Sequence, residues 1–160
     1  MRKPAIAGNW KCNQTLPEAE ALISALKATC ETEAVEPPGQ TGGTADYATR
    51  GATSRTPGGV RGSCGVDVIV CPPFTALTTV ANALRGSTIQ LGAQDLFWEP
   101  QGAFTGEVSA SMLRDAGCRY VIVGHSERRT LFGETDEAVH RKLRAALDRQ
   151  VTPIVCCGET

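Results

Sequence analysis

The chain has 160 residues, with 41% hydrophobic and 21% charged side chains and a formal net charge of -1. That length and balance fit one globular domain with a core of its own. The dispersed Lys and Arg exclude the basic stripe of a nucleic-acid binder, and no apolar run approaches the ~20 residues a membrane span needs. The apolar run near Met1 is far too short for a signal peptide, so a cytoplasmic protein is expected. The seven cysteines, Cys12, Cys30, Cys64, Cys71, Cys118, Cys156 and Cys157, include no C-x-x-C spacing. Only His125 and His140 could join them, so no metal site is expected. Cys71, Cys156 and Cys157 lie in apolar runs and read as small hydrophobes.

Pro4 to Trp10 reads as a short first strand, leading into Lys11. Thr15-Leu16-Pro17-Glu18 has the form of a capping box with proline in the first turn. The helix it opens carries Ala19, Leu22, Ile23 and Leu26 on one face. From about residue 31 to 65 the character changes. Pro, Gly, Thr and Ala dominate, and large apolar residues nearly vanish. That stretch cannot bury enough surface to offset its ordering entropy, and it reads as a disordered insertion within one domain.

Val66 to Cys71 is a second buried strand, stopped by Pro72-Pro73. A helix follows, with Leu77, Val80, Ala81 and Leu84 inward and Gly86 near its C-terminus. Thr88 to Gln94 is a third strand, and Leu96 to Glu107 a long loop. A short helix spans about Ser109 to Ala116, and Arg119 to Val123 is a fourth strand. His125 follows it, then a helical turn. A longer helix from Asp136 to Gln150 places Val139, Leu143, Ala146 and Leu147 inward. Pro153 to Cys157 is the fifth strand. Strands alternate with helices, and the strands are continuously apolar, which predicts a parallel α/β sheet covered on both faces. Periodicity alone does not separate an open doubly wound sheet from part of a barrel. Neither G-x-G-x-x-G nor a Walker loop follows any strand.

A lone histidine at a strand end usually satisfies a local hydrogen bond. A lysine after a strand is usually a solvated charge, and an Asn after Gly often forms a turn. Four segments taken together point further: Ala7-Gly8-Asn9-Trp10-Lys11, Gly102-Ala103-Phe104-Thr105-Gly106-Glu107, Val123-Gly124-His125-Ser126-Glu127-Arg128-Arg129, and Val155-Cys156-Cys157-Gly158-Glu159. In this order and spacing they resemble the triosephosphate isomerase family over residues 1 to about 30 and about 65 to 160.

The resemblance implies the first five βα units of a (β/α)₈ TIM barrel. It implies interconversion of D-glyceraldehyde 3-phosphate and dihydroxyacetone phosphate through an enediolate, a step of glycolysis and gluconeogenesis, with no cofactor. Such chemistry needs a carboxylate base, an oxyanion donor and a cation for the substrate dianion. By motif match Lys11 is the catalytic and substrate-binding cation, Asn9 binds substrate, and His125 is the neutral electrophile. This family is itself the standard case of an imidazole kept neutral by a helix N-terminus. Gln94, Glu127, Arg128 and Glu134 match supporting polar positions. Thr105 matches the tip of a loop that enters a neighbouring subunit, which implies a homodimer. Cys156 matches a buried packing cysteine, and His140 reads as solvated.

Two departures accompany the match. The insertion falls between the first helix and second strand, on the face of a barrel that carries stability rather than chemistry. The family's catalytic glutamate, on a later loop that closes over substrate, has no counterpart in these residues. Neither Glu127 nor Glu159 replaces it. The 160 residues are therefore expected to be a truncated, inactive and aggregation-prone part of the isomerase. The competing expectation, of another class, is a non-catalytic binding module that associates through the loop around Thr105.

Overall fold

The computed structural model describes residues 3–32 and 65–158. Most of the segment read as an insertion, together with Cys64 and Glu159, lies outside the described residues. The elements in chain order are β1 (Ala5–Asn9), α1 (Leu16–Thr32), β2 (Asp67–Cys71), a 3₁₀ turn (Phe74–Ala76), α2 (Leu77–Ala83), β3 (Gln90–Ala93), α3 (Ala110–Asp115), β4 (Tyr120–Val123), α4 (Ser126–Phe132), α5 (Asp136–Asp148) and β5 (Thr152–Val155).

All strand pairs are parallel, and the sheet order is β1-β2-β3-β4-β5. This order resolves what periodicity left open. A doubly wound sheet reverses its direction of growth at a switch point, whereas here every crossover adds the next strand on the same side. The result is an arc of a TIM barrel, five strands wide.

The helix starts follow from local chemistry. Glu18 Oε2 accepts from the Thr15 backbone N–H and hydroxyl, both at 2.7 Å, which completes the capping box and holds the Glu18 carboxyl below its ordinary value. Ser109 and Thr135 cap α3 and α5 through their side-chain oxygens.

The strands alternate between two apolar layers. Val70, Leu91, Ala93, Val121 and Val123 face outward, where they pack with Ala19, Ile23, Val80, Leu113 and Ala146 of the helices. Burying a large aliphatic side chain of this kind contributes ~1.5–3 kcal/mol. Ile69, Cys71 and Ile122 face the concave side with Tyr120, Ile154 and Cys156. Gly92 belongs to that inner layer. A Cβ built on it would lie 2.6 Å from Cys71 Sγ, so only glycine lets β3 sit between its neighbours.

Three expectations need correction. β1 is apolar, yet Ala5 to Gly8 are exposed and Ile6 is 63% accessible, because an edge strand has a helix-packed neighbour on one side only. Leu147 is exposed, and the inward stripe of α5 runs through Val139, Lys142 and Ala146 instead. Cys156 is half-buried, and Cys157, beyond the end of β5, is exposed. His140 is solvent-exposed, as expected.

Candidate active site

The C-terminal ends of β1, β3 and β4 converge on an open cavity of about 280 Å³. Asn9, Lys11, Gln94, His125, Glu127 and Arg128 all line it. Residues far apart in the chain meet there because parallel strands present all their C-terminal ends on one side.

Asn9 is the last residue of β1, and its Oδ1 accepts from the Lys11 backbone N–H at 2.9 Å. Lys11 has φ 55°, a left-handed conformation that costs a non-glycine residue energy and must be held by its surroundings. The restraints are visible. Trp10 N–H donates to the Cys71 carbonyl at 3.1 Å, and Gln94 Nε2 donates to the carbonyls of both Lys11 (2.9 Å) and Cys71 (2.8 Å). One side-chain amide just past β3 thus ties the loop after β1 to the end of β2.

The Lys11 ammonium lies 2.7 Å from Glu127 Oε1. Lys11 holds the Glu127 carboxyl below its ordinary value, first through this hydrogen bond and then through its charge. Desolvation opposes that shift but does not cancel it.

His125 stands between β4 and α4 and caps the helix. Its Nδ1 accepts from the Glu127 backbone N–H at 3.3 Å. A ring nitrogen that accepts carries no proton, so this geometry assigns the neutral Nε2–H tautomer. The Glu127 carboxylate also lies near Nδ1, at 3.6 Å, and would favour a proton there; that separation is beyond hydrogen-bond range. The backbone contact therefore sets the tautomer.

Behind these residues lies a charge cluster that the sequence did not reveal. Lys142, on α5, is buried and bonds Asp95 Oδ1 at 2.6 Å and the Glu134 carboxylate. Arg128 Nε lies 2.8 Å from Asp95 Oδ2 in a charge contact that is not aligned as a hydrogen bond. Its guanidinium also sits 5.0 Å above the Phe132 ring. Burial pushes the Asp95 carboxyl up, while Lys142 and Arg128 pull it back. Arg128 lines the cavity and Glu134 lies against Lys142, while Asp95, which also lines the cavity, and Lys142 were missed. The available signal was Lys142 itself, a charge at the i+3 and i−4 positions of the apolar stripe defined by Val139 and Ala146.

Thr105 is not brought to the cavity. It lies in the exposed loop after β3, where the Phe104 ring packs tilted against Phe97 with centroids 4.7 Å apart. Among the described residues, no group of three or more His, Cys, Asp or Glu side chains is placed to hold a metal ion, and no helix is long and apolar enough to cross a membrane.

Comparison with known proteins adds to this geometry. The family model described as triosephosphate isomerase matches residues 44–160. The chain is 50% identical over all of its 160 residues to a triosephosphate isomerase of Endomicrobium trichonymphae, and 48% identical to one of Moorella thermoacetica. Among solved structures it is similar to triosephosphate isomerase from Bartonella henselae, with a TM-score of 0.74 and 31% identity over 99% of the chain. The chain spans about half the length of each of these proteins, 52% in all three.

Proposed function

The chain belongs to the triosephosphate isomerase family, and on that premise we propose that the protein interconverts D-glyceraldehyde 3-phosphate and dihydroxyacetone phosphate through an enediolate. One observation carries the reading: Asn9, Lys11 and His125 line a single cavity at the C-terminal ends of parallel strands. The Lys11 ammonium holds the anionic substrate. His125, neutral with its proton on Nε2, donates to the carbonyl oxygen as negative charge develops there, where a preorganised donor is worth most. Asn9, with Oδ1 engaged by the Lys11 backbone, offers Nδ2 to an enediolate oxygen.

Among the described residues no carboxylate of the cavity serves as the base: Glu127 is committed to Lys11, and Asp95 to Lys142. We assign the base to the part of the family's length that these residues do not span. The 160 residues by themselves then give no turnover. The exposed loop bearing Phe104 and Thr105 suits insertion into a second subunit, which supports a homodimer. The cytoplasm is the compartment we assign.

The test joins the 160 residues, in one chain, to the remaining part of the Moorella thermoacetica relative and measures isomerisation. The hybrid should turn over substrate. His125→Gln should lower kcat by about 10²-fold or more with a smaller effect on KM, the range expected for loss of one oxyanion donor. Equal turnover in the parent hybrid and the variant would exclude the electrophile role. Turnover by the 160 residues alone would exclude our placement of the base.

A further inference from the structure

The turn that presents His125 is held by a side chain to which the chemistry above gives no part. Gly124 has φ 74°, so the turn from β4 into α4 requires glycine. The same freedom means that glycine's own sterics do not fix the peptide joining Gly124 to His125. Arg129 supplies the restraint. Its Nε donates to the Gly124 carbonyl at 3.0 Å, and its backbone N–H donates to the His125 carbonyl at 3.1 Å. The arginine also covers the glycine. A Cβ at Gly124 would stand 3.2 Å from Arg129 Nη2 and from both methyl groups of Val139. On its outer side Arg129 Nη1 pairs with Asp136 Oδ1 at 2.7 Å, and the Asp136 side chain is 93% exposed. The outward ion pair is therefore weak, and the inward bond to Gly124 is the specific contact.

We propose that Arg129 is a positioning residue for His125. By selecting one orientation of the Gly124 peptide, it fixes the ring so that Nδ1 meets the Glu127 N–H and Nε2 keeps the proton. The inference rests on the reading of His125 as the electrophile. A displacement of about 1 Å at a reacting group can cost ~10²-fold in rate, which is the leverage such a residue has.

The experiment uses the same hybrid enzyme with Arg129→Met, Arg129→Lys and Asp136→Asn, alongside His125→Gln. Arg129→Met should lower kcat by about 10- to 100-fold with KM little changed. Arg129→Lys, which retains a donor, should recover most of that loss, and Asp136→Asn should match the parent. The ¹⁵N signals of the His125 ring should report one Nε2–H tautomer in the parent and a mixture in Arg129→Met. Thermal midpoints identify any loss that merely follows unfolding. The proposal is overturned if His125→Gln is impaired while Arg129→Met is not, or if Arg129→Lys and Arg129→Met lose activity equally. If His125→Gln is itself unimpaired, the electrophile reading falls, and the tautomer signal alone decides whether Arg129 orders the ring.

Discussion

Lys11 and Glu127 form an ion pair at 2.7 Å that connects the loop after β1 to the first turn of α4. Both side chains are about half exposed, so the pair adds little to stability. Its importance lies in placing the ammonium. Glu127→Gln in the hybrid enzyme should leave the thermal midpoint nearly unchanged and lower kcat/KM by about tenfold. The same pair responds to acid. Glu127 titrates below its ordinary 4.5 in the folded state, so its contribution is complete above 4.5 and is lost as pH falls through the lower folded value. Stability followed by circular dichroism from about pH 5 downward should fall less steeply in Glu127→Gln than in the parent. An identical slope would show that the pair does not form in solution.

Lys142 neutralises Asp95 and Glu134 in the interior. Lys142→Met removes the buried cation and leaves the Asp95 and Glu134 carboxylates with only the partly exposed Arg128 between them. A cost of about 3–5 kcal/mol is expected from denaturant titration at neutral pH. Burial already raises the Asp95 carboxyl, and loss of Lys142 raises it further. Its folded value then exceeds its unfolded value, so the penalty is present at neutral pH and eases as pH falls and Asp95 takes up a proton. Destabilisation independent of pH would contradict this account.

Gly8 on β1 and Gly92 on β3 offer a matched comparison on the two strands that flank β2. A Cβ at Gly92 meets Cys71 Sγ at 2.6 Å, whereas one at Gly8 has its nearest neighbour, the Ile69 carbonyl oxygen, at 3.8 Å. Gly92→Ala should cost about 1–3 kcal/mol by overpacking. Gly8→Ala should be close to neutral. Similar losses at both positions would show that the inner layer is looser than its geometry indicates.

The cysteines should divide by environment. Burial pushes the thiols of Cys71 and Cys118 up to about 12, so neither supplies thiolate near neutral pH. Cys12 and Cys157 are exposed. Mass spectrometry after brief alkylation should find Cys12 and Cys157 modified in the native protein. Cys71 and Cys118 should react only after denaturation, and early labelling of either would place it outside the core.

The sequence carried the elements well where burial is one-sided and local. The capping box at Thr15, the stripe Ala19, Ile23 and Leu26, and the β-branched run of β4 all formed as read. It failed where a residue's environment is set by a distant strand. Leu147 falls about 100° round α5 from buried Ala146 and stays exposed, and the inward position belongs to Lys142 because Asp95 and Glu134 await it there. Asp95 follows Gln94 in an ordinary polar pair, and nothing local shows that one side chain clamps a loop while the next is buried under a lysine. Within the site, Asn9, Lys11 and His125 were singled out through motifs, and all three line one cavity. The bond from Gln94 to Lys11 joins residues 83 positions apart, beyond the reach of periodicity.

That same Gln94 bond sets an order of events. The left-handed geometry of Lys11 is unfavourable until the Gln94 amide, just past β3, reaches the Lys11 carbonyl, and the ammonium has no seat until the turn after β4 has formed. Contacts that close long loops form only after their entropy has been overcome. A chain emerging during synthesis can therefore complete its first strand and helix long before Lys11 adopts its working conformation, so chemical competence matures last in a scaffold whose first pieces are early.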